Sequence, residues 1–167
     1  FDEAEGPYKN EWFQDYTEMD MLKKMGPEEN APTFLDTLVK FQYWDVAFSK
    51  SDFADFSACV TAGVDANQNV YILSAVYKRM TPQELKVEIV NQYDLWKPQL
   101  VGIEDTAFKY RITKEIIQDV TSRSMIPLIS DRPIGDKVTR SLLPASRAEA
   151  GKFFVNKKAH WWPELQI

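Results

Sequence analysis

The sequence predicts an α/β fold in which a mixed central sheet is flanked by helices. Two observations carry this prediction. Three strand-like segments follow one another in the first half of the chain, which is typical of an antiparallel meander. After them, short and nearly all-apolar segments alternate with helical ones, which is typical of parallel strands joined by crossover helices. We therefore expect a sheet with an antiparallel part and a parallel part.

The meander is predicted between residues 39 and 79. Its three strands are Val39–Phe48, Phe56–Val64 and Asn69–Arg79, and each is rich in apolar and β-branched residues. The segment "DANQN" between the second and third strands is rich in turn-forming residues. These two strands are therefore expected to form a hairpin.

A helix is predicted directly after the meander, because the sequence there carries the signals of a capped N-terminus. Thr81 is an N-cap residue, Pro82 takes the first helical position and Glu84 has the spacing of a capping box. An apolar stripe continues along this helix, which is expected to end before Pro98.

The remaining segments complete the alternation. "QLVGIED" and "MIPLIS" are typical of strands buried on both faces, and "KFFV" is predicted as a closing strand. Helices are expected at about Phe108–Val120 and in "GDKVTRSLLPASRAEAG". Ahead of the meander, "EWFQDYTEMDMLKKM" predicts an amphipathic helix and "GPEENAPT" predicts a linker.

Composition narrows the class of protein. The apolar fraction is 44% and the charged fraction 27%, as in ordinary globular domains, and no apolar run reaches the roughly 20 residues of a membrane-spanning helix. The single cysteine, Cys59, excludes a disulfide framework and a cysteine-based zinc site. Its apolar neighbours predict a small core residue. We expect a cytoplasmic protein.

Charge is distributed unevenly along the chain. Residues 1–100 contain 9 basic and 17 acidic residues, whereas residues 101–167 contain 11 and 8. Such a division suits a protein that collects cations at one place and phosphates at another. Glycine-rich phosphate-binding motifs are absent from the sequence, and the single histidine, His160, gives little support to a histidine-dependent hydrolase.

Carboxylates at strand ends are the remaining chemical signal. Asp45 lies near the end of the first predicted strand, and Glu104 and Asp105 close "QLVGIED". If those strands are neighbours, the acids meet at one edge, where hard divalent cations prefer such oxygen ligands. Two ions about 4 Å apart can activate water in phosphodiester cleavage. Acids at strand ends also serve as turn formers and helix caps, so spacing leaves both roles open.

Several motifs, in order, resemble the nuclease domain of the large terminase subunits of tailed bacteriophages. "YWDVAFSKSDFADFS" matches a strand ending in W-D-x-A-F followed by D-[YF]-S, and "VGIED" matches a strand ending in I-E-D. "GDKVTR" matches the DK-x-x-R segment, and "AHWWPEL" matches a tryptophan-bearing approach to the C-terminus. The resemblance covers about residues 39–167.

The resemblance implies an RNase H-like fold and a metal-dependent endonuclease that cuts concatemeric viral DNA during genome packaging. Its site would be three acids with two Mg²⁺ or Mn²⁺ ions. By motif position, Asp45 corresponds to the first acid and Glu104 to the second, both catalytic and metal-binding, while Asp55 matches a supporting or ligating acid. No side chain would act as a covalent nucleophile.

The third acid of the family is expected in a D-D motif beyond Ile167. Asp131 and Asp136 are conceivable substitutes, although no motif supports either. Residues 1–38 are expected to be interdomain linker with a helix remnant, because "YKNEWFQDY" resembles the family's W-F-x-x-Y. Residues 39–167 would form the nuclease domain, truncated at its C-terminal end.

The resemblance also implies partners and a location. These are double-stranded DNA, an ATPase motor domain in the full-length protein, the portal protein and the small terminase subunit. The host cell cytoplasm is the expected compartment, and a monomer is expected for the fragment. Phosphate contacts are expected from Lys137, Arg140, Lys109 and Arg111, which a generic domain would instead expose as a solvated face.

Three further interpretations stay open. Trp161 and Trp162 are either base-stacking residues or hydrophobic plugs, with the plug favoured. A Holliday-junction resolvase or transposase-type nuclease would use similar strand-end acids on the same fold. A non-catalytic domain that docks on DNA or on the portal is the alternative from another class.

Overall fold

The structure is a computed structural model that describes residues 8–47, 55–104, 110–131 and 144–165. Two compact units make up the chain. The first comprises Phe1–Val39, Gly63–Leu73 and Ile134–Ile167, and the second comprises Lys40–Ala62 and Ser74–Pro133.

Seven strands and six helices occur among the described residues. The strands are β1 Gln14–Asp15, β2 Val39–Asp45, β3 Asp55–Val64, β4 Val70–Met80, β5 Leu100–Glu104, β6 Leu128–Asp131 and β7 Phe153–Val155. The helices are α1 Glu18–Met21, α2 Phe34–Thr37, α3 Pro82–Trp96, α4 Tyr110–Arg123, α5 at 144–149 and α6 Trp162–Leu165. In these parts of the chain, every helix is too short or too polar to cross a membrane.

The sheet is mixed, with the strand order β1-β7-β4-β3-β2-β5-β6. The pairs β1–β7, β4–β7, β2–β5 and β5–β6 are parallel. A turn at Asp65–Asn69 joins β3 to β4 as a hairpin. Leu38, just before β2, lies against Gly63 near the end of β3, so β2 and β3 run antiparallel. The predicted mixed sheet, with a meander followed by parallel strands, is confirmed.

In the second unit, one face of the sheet packs against α3 and α4. Trp44 and Val46 of the β2 segment are fully buried, whereas Tyr43 and Asp45 point to the opposite side and are exposed. We call that opposite side the open face. The buried cluster on the helical side consists of Trp44, Val46, Cys59, Met80, Leu85, Ile89, Val101, Ile103, Ile116, Val120, Ile126 and Leu128.

Helix α3 begins as the sequence predicts. The Thr81 hydroxyl accepts a hydrogen bond from the Glu84 amide at 3.2 Å, and the Glu84 carboxylate accepts one from the Thr81 amide at 3.4 Å. This capping box satisfies amide groups that the first turn of a helix leaves without partners. An ion pair between Lys86 and Asp119, with the atoms 3.0 Å apart, joins α3 to α4.

In the first unit, β7 lies between β1 and β4. The Tyr16 hydroxyl, just after β1, donates a 2.5 Å hydrogen bond to the carbonyl of Ile72 in β4. The ring of Phe13 contacts Phe153 and Trp162, with ring centroids 6.0 and 5.2 Å apart. These aromatic contacts hold Phe13, the residue before β1, against β7 and α6, while Gln14 and Asp15 of β1 stay exposed.

The single helix predicted within "EWFQDYTEMDMLKKM" is wrong. That segment instead forms a 3₁₀ turn at Asn10–Trp12, then β1, then α1. Backbone pairing of β1 with β7 places Gln14 opposite Phe154, and a capping box at Thr17 starts the new helix. Pairing with a strand about 140 residues further on overrides a local periodicity that resembles a helix.

The prediction that the two C-terminal tryptophans are hydrophobic plugs is confirmed. Trp161 is 7% exposed and Trp162 is 6% exposed, so neither presents a ring face to a nucleobase. Cys59 is likewise the predicted core residue, at 1% exposed.

Burial gives Cys59 a testable chemical property. Loss of solvation raises the pKa of its thiol from an ordinary value near 9 to about 12, although a hydrogen bond with Thr61 opposes this. The native protein therefore contains almost no thiolate at pH 8. We expect very slow reaction with Ellman's reagent in the native state and rapid, stoichiometric reaction in urea. Fast labelling of the native protein would contradict the assigned burial.

The same shift has a defined sign for stability. The native state holds the thiol proton more tightly than the unfolded state between pH 9 and 12, so stability falls as pH rises through that window. A Cys59→Ala variant lacks this contribution. The difference in unfolding free energy between the two proteins should therefore shrink as pH rises from 9.

Candidate functional site

Three carboxylates lie side by side at the carboxyl ends of three adjacent parallel strands. The register pairs Trp44 of β2 with Ile103 of β5, so the next residues, Asp45 and Glu104, are also opposite one another. Glu104 is in turn paired with Asp131 of β6. Neighbouring strands are about 4.8 Å apart, so the row is about 10 Å long. We call Asp45, Glu104 and Asp131 the carboxylate edge.

All three acids project on the open face. Residues in register on parallel strands point to the same side of a sheet, and successive residues along a strand alternate. Because Trp44 and Ile103 point into the core, Asp45 and Glu104 point away from it. Asp45 and Asp131 are exposed and Glu104 is half-buried. The edge is therefore accessible to a ligand in solution.

Tyr43 lies on the same face, two residues before Asp45. Its hydroxyl donates a hydrogen bond to Oδ2 of Asp131 at 2.7 Å, across the intervening strand β5. The ring crosses β5 at Gly102, where an added Cβ would lie only 3.0 Å from Cδ2 of Tyr43. Glycine at position 102 thus leaves room for the ring, and the ring orients the carboxylate of Asp131.

The titration of Tyr43 reports the electrostatics of the edge. Its pKa is raised above the ordinary value of 10, first by partial burial, then by its hydrogen bond to Asp131, and then by the negative charges of Asp131, Glu104 and Asp45. All three carboxylates are therefore close enough to act on one phenol. At neutral pH the phenol keeps its proton and remains a hydrogen-bond donor.

The two predicted principal acids, Asp45 and Glu104, are brought together, because β2 and β5 are neighbours in the sheet. The predicted supporting acid Asp55 is the first residue of β3, the other neighbour of β2, and its side chain lies outside the described residues. Arg111 lies in α4, again without a described side chain. The described residues do not include Lys109, Lys137, Arg140, Asp105 or Asp136.

The motifs did not assign a role to Asp131 or Tyr43. Asp131 is the last residue of β6, as Asp45 and Glu104 are the last residues of their own strands. This shared strand-end position is the sequence feature that could have predicted its place in the carboxylate edge. No feature of the sequence distinguishes Tyr43 from the other aromatic residues of the predicted strands. In the described ranges, no three acidic, histidine or cysteine side chains are close enough to hold one metal ion together. By register, Glu104 is adjacent to Asp45 on one side and to Asp131 on the other.

Comparison with known proteins gives the class of fold. No family model and no curated protein matches the chain. Among solved structures, the large terminase nuclease of the thermophilic phage G20c is similar, with a TM-score of 0.50 and 14% identity. The match covers 77% of this chain and 64% of that one, so the chain spans less than two thirds of the terminase nuclease. At this identity the likeness shows the fold alone, and the fold is RNase H-like, as predicted.

Other similar structures are those of RuvC and of a viral Holliday junction resolvase. RuvC of Thermus thermophilus, in complex with a Holliday junction substrate, matches with a TM-score of 0.48 and 13% identity over 72% of this chain and 82% of that one. The fowlpox virus Holliday junction resolvase matches with a TM-score of 0.43 and 11% identity over 69% and 79% of the two chains.

The hydrogen bond between Tyr43 and Asp131 can be measured by a double-mutant cycle. Tyr43→Phe should lower the free energy of unfolding by about 0.5–1 kcal/mol in the parent, because a partly exposed hydrogen bond to a carboxylate is lost. In an Asp131→Ala background, the same substitution should have almost no effect. Urea denaturation of the four proteins gives the coupling energy.

Tyr77→Phe is the matched control for this cycle, since its phenol is 57% exposed. Its effect should be the same with and without Asp131. Strict additivity of Tyr43→Phe and Asp131→Ala would show that the contact does not form in solution.

Proposed function

We propose that the chain is a metal-dependent DNA endonuclease, and specifically the nuclease domain of a viral large terminase subunit that cuts concatemeric DNA during genome packaging. The observation that carries the proposal is the placement of Asp45 beside Glu104 on an exposed face of an RNase H-like sheet. The sequence motifs around both acids support the narrower assignment to terminases, and the domain boundaries at residues 38 and 39 belong to that same assignment.

Asp45 and Glu104 would hold the divalent ions, and Asp55 would support or join them. Two Mg²⁺ or Mn²⁺ ions held there would supply activation of the attacking water and stabilisation of the leaving oxygen. Asp45 and Glu104 contribute two adjacent negative charges on strands whose backbones are held by sheet hydrogen bonds. Asp131 adds a third charge at the end of the row, and Tyr43 fixes its direction.

Charge explains why such an edge would need cations before it could accept DNA. Three carboxylates within about 10 Å repel a phosphate backbone, and they also repel one another. Bound divalent ions would neutralise the carboxylates and so weaken both their repulsion of the phosphates and their repulsion of one another. Lys109, Arg111, Lys137 and Arg140 would then hold the phosphates on either side of the cut.

In the complete protein, this domain would work with an ATPase motor domain, the portal protein and the small terminase subunit. Double-stranded DNA is the proposed substrate, and the host cell cytoplasm is the proposed location. The terminase motifs "WDVAF" and "DKVTR" favour this role over a junction resolvase.

Nicking of supercoiled plasmid in Mg²⁺ or Mn²⁺ tests the activity. The parent should convert supercoiled DNA to open circles. Asp45→Asn or Glu104→Gln should each reduce the nicking rate at least about 100-fold, because mutation of residues that only hydrogen-bond to metal ligands already lowers activity by about 10–100-fold. Glu115→Gln, at an exposed acid on α4, is the control and should nick normally. Equal nicking by Asp45→Asn and the parent would remove Asp45 from the site.

A comparison of substrates separates the alternatives. The terminase assignment predicts cutting of linear duplex DNA, whereas strong preference for a four-way junction would indicate a resolvase. Binding of duplex DNA without any cutting would indicate a docking domain.

Binding of Mn²⁺ can be measured independently of catalysis. Calorimetric titration of the parent should show binding that Asp45→Asn weakens at least about tenfold, since a charged oxygen ligand is replaced by a neutral one. Glu115→Gln should bind Mn²⁺ like the parent. Unchanged affinity in Asp45→Asn would place the ions elsewhere.

A further inference from the structure

A second exposed feature on the open face is a stack of two aromatic rings and one guanidinium group. The rings of Phe56 in β3 and Tyr77 in β4 are nearly parallel, with centroids 4.6 Å apart and planes inclined by 14°. The guanidinium carbon of Arg79 lies 4.5 Å from the centroid of Phe56. We call these three residues the aromatic stack. Phe56 is 39% exposed and Tyr77 is 57% exposed.

The aromatic stack lies on the same side of the sheet as the carboxylate edge. Ser57 is buried, so Phe56, its neighbour in the strand, points to the open face. Lys78 points the other way, towards α3, where it pairs with Glu88 at 2.9 Å. Tyr77 and Arg79 flank Lys78 in the strand, so they too point to the open face.

The aromatic stack also lies at the same end of the sheet as the acids. Because β3 runs antiparallel to β2, its first residues are beside the end of β2, where Asp45 lies. Phe56 is the second residue of β3, and contact with Tyr77 places the end of β4 there as well. With strands about 4.8 Å apart, Tyr77 is two strands, or about 10 Å, from Asp45.

Arg79 differs from its neighbour Lys78 in its charged partners among the described residues. Within the described parts of the chain, no carboxylate lies within salt-bridge distance of its guanidinium group, whereas Lys78 next to it is paired. A cross-strand aromatic pair can stabilise a sheet without binding anything. Such a pair alone does not account for a phenol that is more than half exposed and an arginine placed on the ring beside it.

We propose that the aromatic stack binds an unpaired nucleobase, so that the site takes DNA that is locally opened beside the cut. The inference deepens the proposed nuclease function and rests on it. A base within a duplex has both faces covered by its neighbours, and only an unstacked base can lie on an aromatic ring. Arg79 adds a positive charge for the phosphate next to that base.

The distance to the acids fits this arrangement. A strand advances about 3.4 Å per nucleotide where it is stacked as in B-form DNA and further where it is unstacked, so about 10 Å corresponds to at most about three nucleotides. A strand whose phosphate is held at Asp45 and Glu104 can therefore reach Tyr77 with a base a few nucleotides away. The strand would cross β3 at Phe56.

Fluorescence anisotropy with labelled oligonucleotides tests the proposal. The probes are a fully paired duplex, the same duplex with a short mismatched bubble, and the single strand. All are measured with Ca²⁺ in place of Mg²⁺ or Mn²⁺, because Ca²⁺ also takes oxygen ligands and neutralises the carboxylates but has a looser coordination geometry. A gel of each probe checks that it stays uncut. Phe56→Leu and Tyr77→Leu should weaken binding to the bubble and the single strand about tenfold, as expected for loss of base stacking. Duplex affinity should change less than about twofold, since duplex DNA is held through its phosphates.

Phe41→Leu is the matched control. Phe41 is the same residue type, is 40% exposed, and lies on the same face of the sheet in β2. It should bind all three probes like the parent. Thermal unfolding of every variant shows whether a weaker complex reflects a less stable protein.

Four results would overturn the proposal. The first two are an equal loss of affinity for the duplex and the bubble, and the same loss in Phe41→Leu. The third is a parent that binds the bubble no better than the duplex, and the fourth is a parent that binds none of the probes, as expected of a surface that contacts protein instead. Plasmid nicking separates the two proposals. If the parent nicks plasmid but binds the bubble no better than the duplex, the nuclease proposal stands and the proposed role of the aromatic stack is wrong. If binding depends on the aromatic stack but the parent does not nick plasmid, the role of the stack stands and the nuclease proposal is wrong.

Discussion

The register between the parallel strands β2, β5 and β6 is the constraint on which the candidate site depends. It places Asp45, Glu104 and Asp131 in one row and on one face. A shift of β2 by one residue would turn Asp45 into the core and Trp44 out to solvent. Full burial of the Trp44 side chain holds that register, because exposing so large an apolar surface is costly. The packing of the core thus positions the charges of the site.

Tyr43 and Gly102 together orient Asp131, the acid at the end of the row. A glycine in the middle strand admits the tyrosine ring, and the ring carries a hydrogen-bond donor across to Asp131. This donor stabilises one negative charge in a place where three charges repel one another. The cation site proposed above rests on the oxygen chemistry of these adjacent strand-end carboxylates.

The open face combines two kinds of chemistry at one end of the sheet. The carboxylate edge offers hard oxygen ligands, and the aromatic stack offers ring surface and one positive charge about two strands away. A nucleic acid strand presents both phosphates and bases, so a single bound strand could engage both features. Antiparallel pairing of β2 with β3 brings the two features to the same end.

Local signals in the sequence determined most of the fold. Three signals each depend on neighbouring residues, and the structure confirms the elements that they predict. They are the apolar and β-branched residues of β2 and β3, the capping box at Thr81 and the apolar run of β5. The strand-end positions of Asp45 and Glu104 were equally visible. The tertiary structure alone decided the division of residues 10–21 into a turn, a strand and a helix, the contact of Tyr43 with Asp131, and the stacking of Phe56 on Tyr77. These features join residues from different strands, and no local periodicity encodes which strands become neighbours.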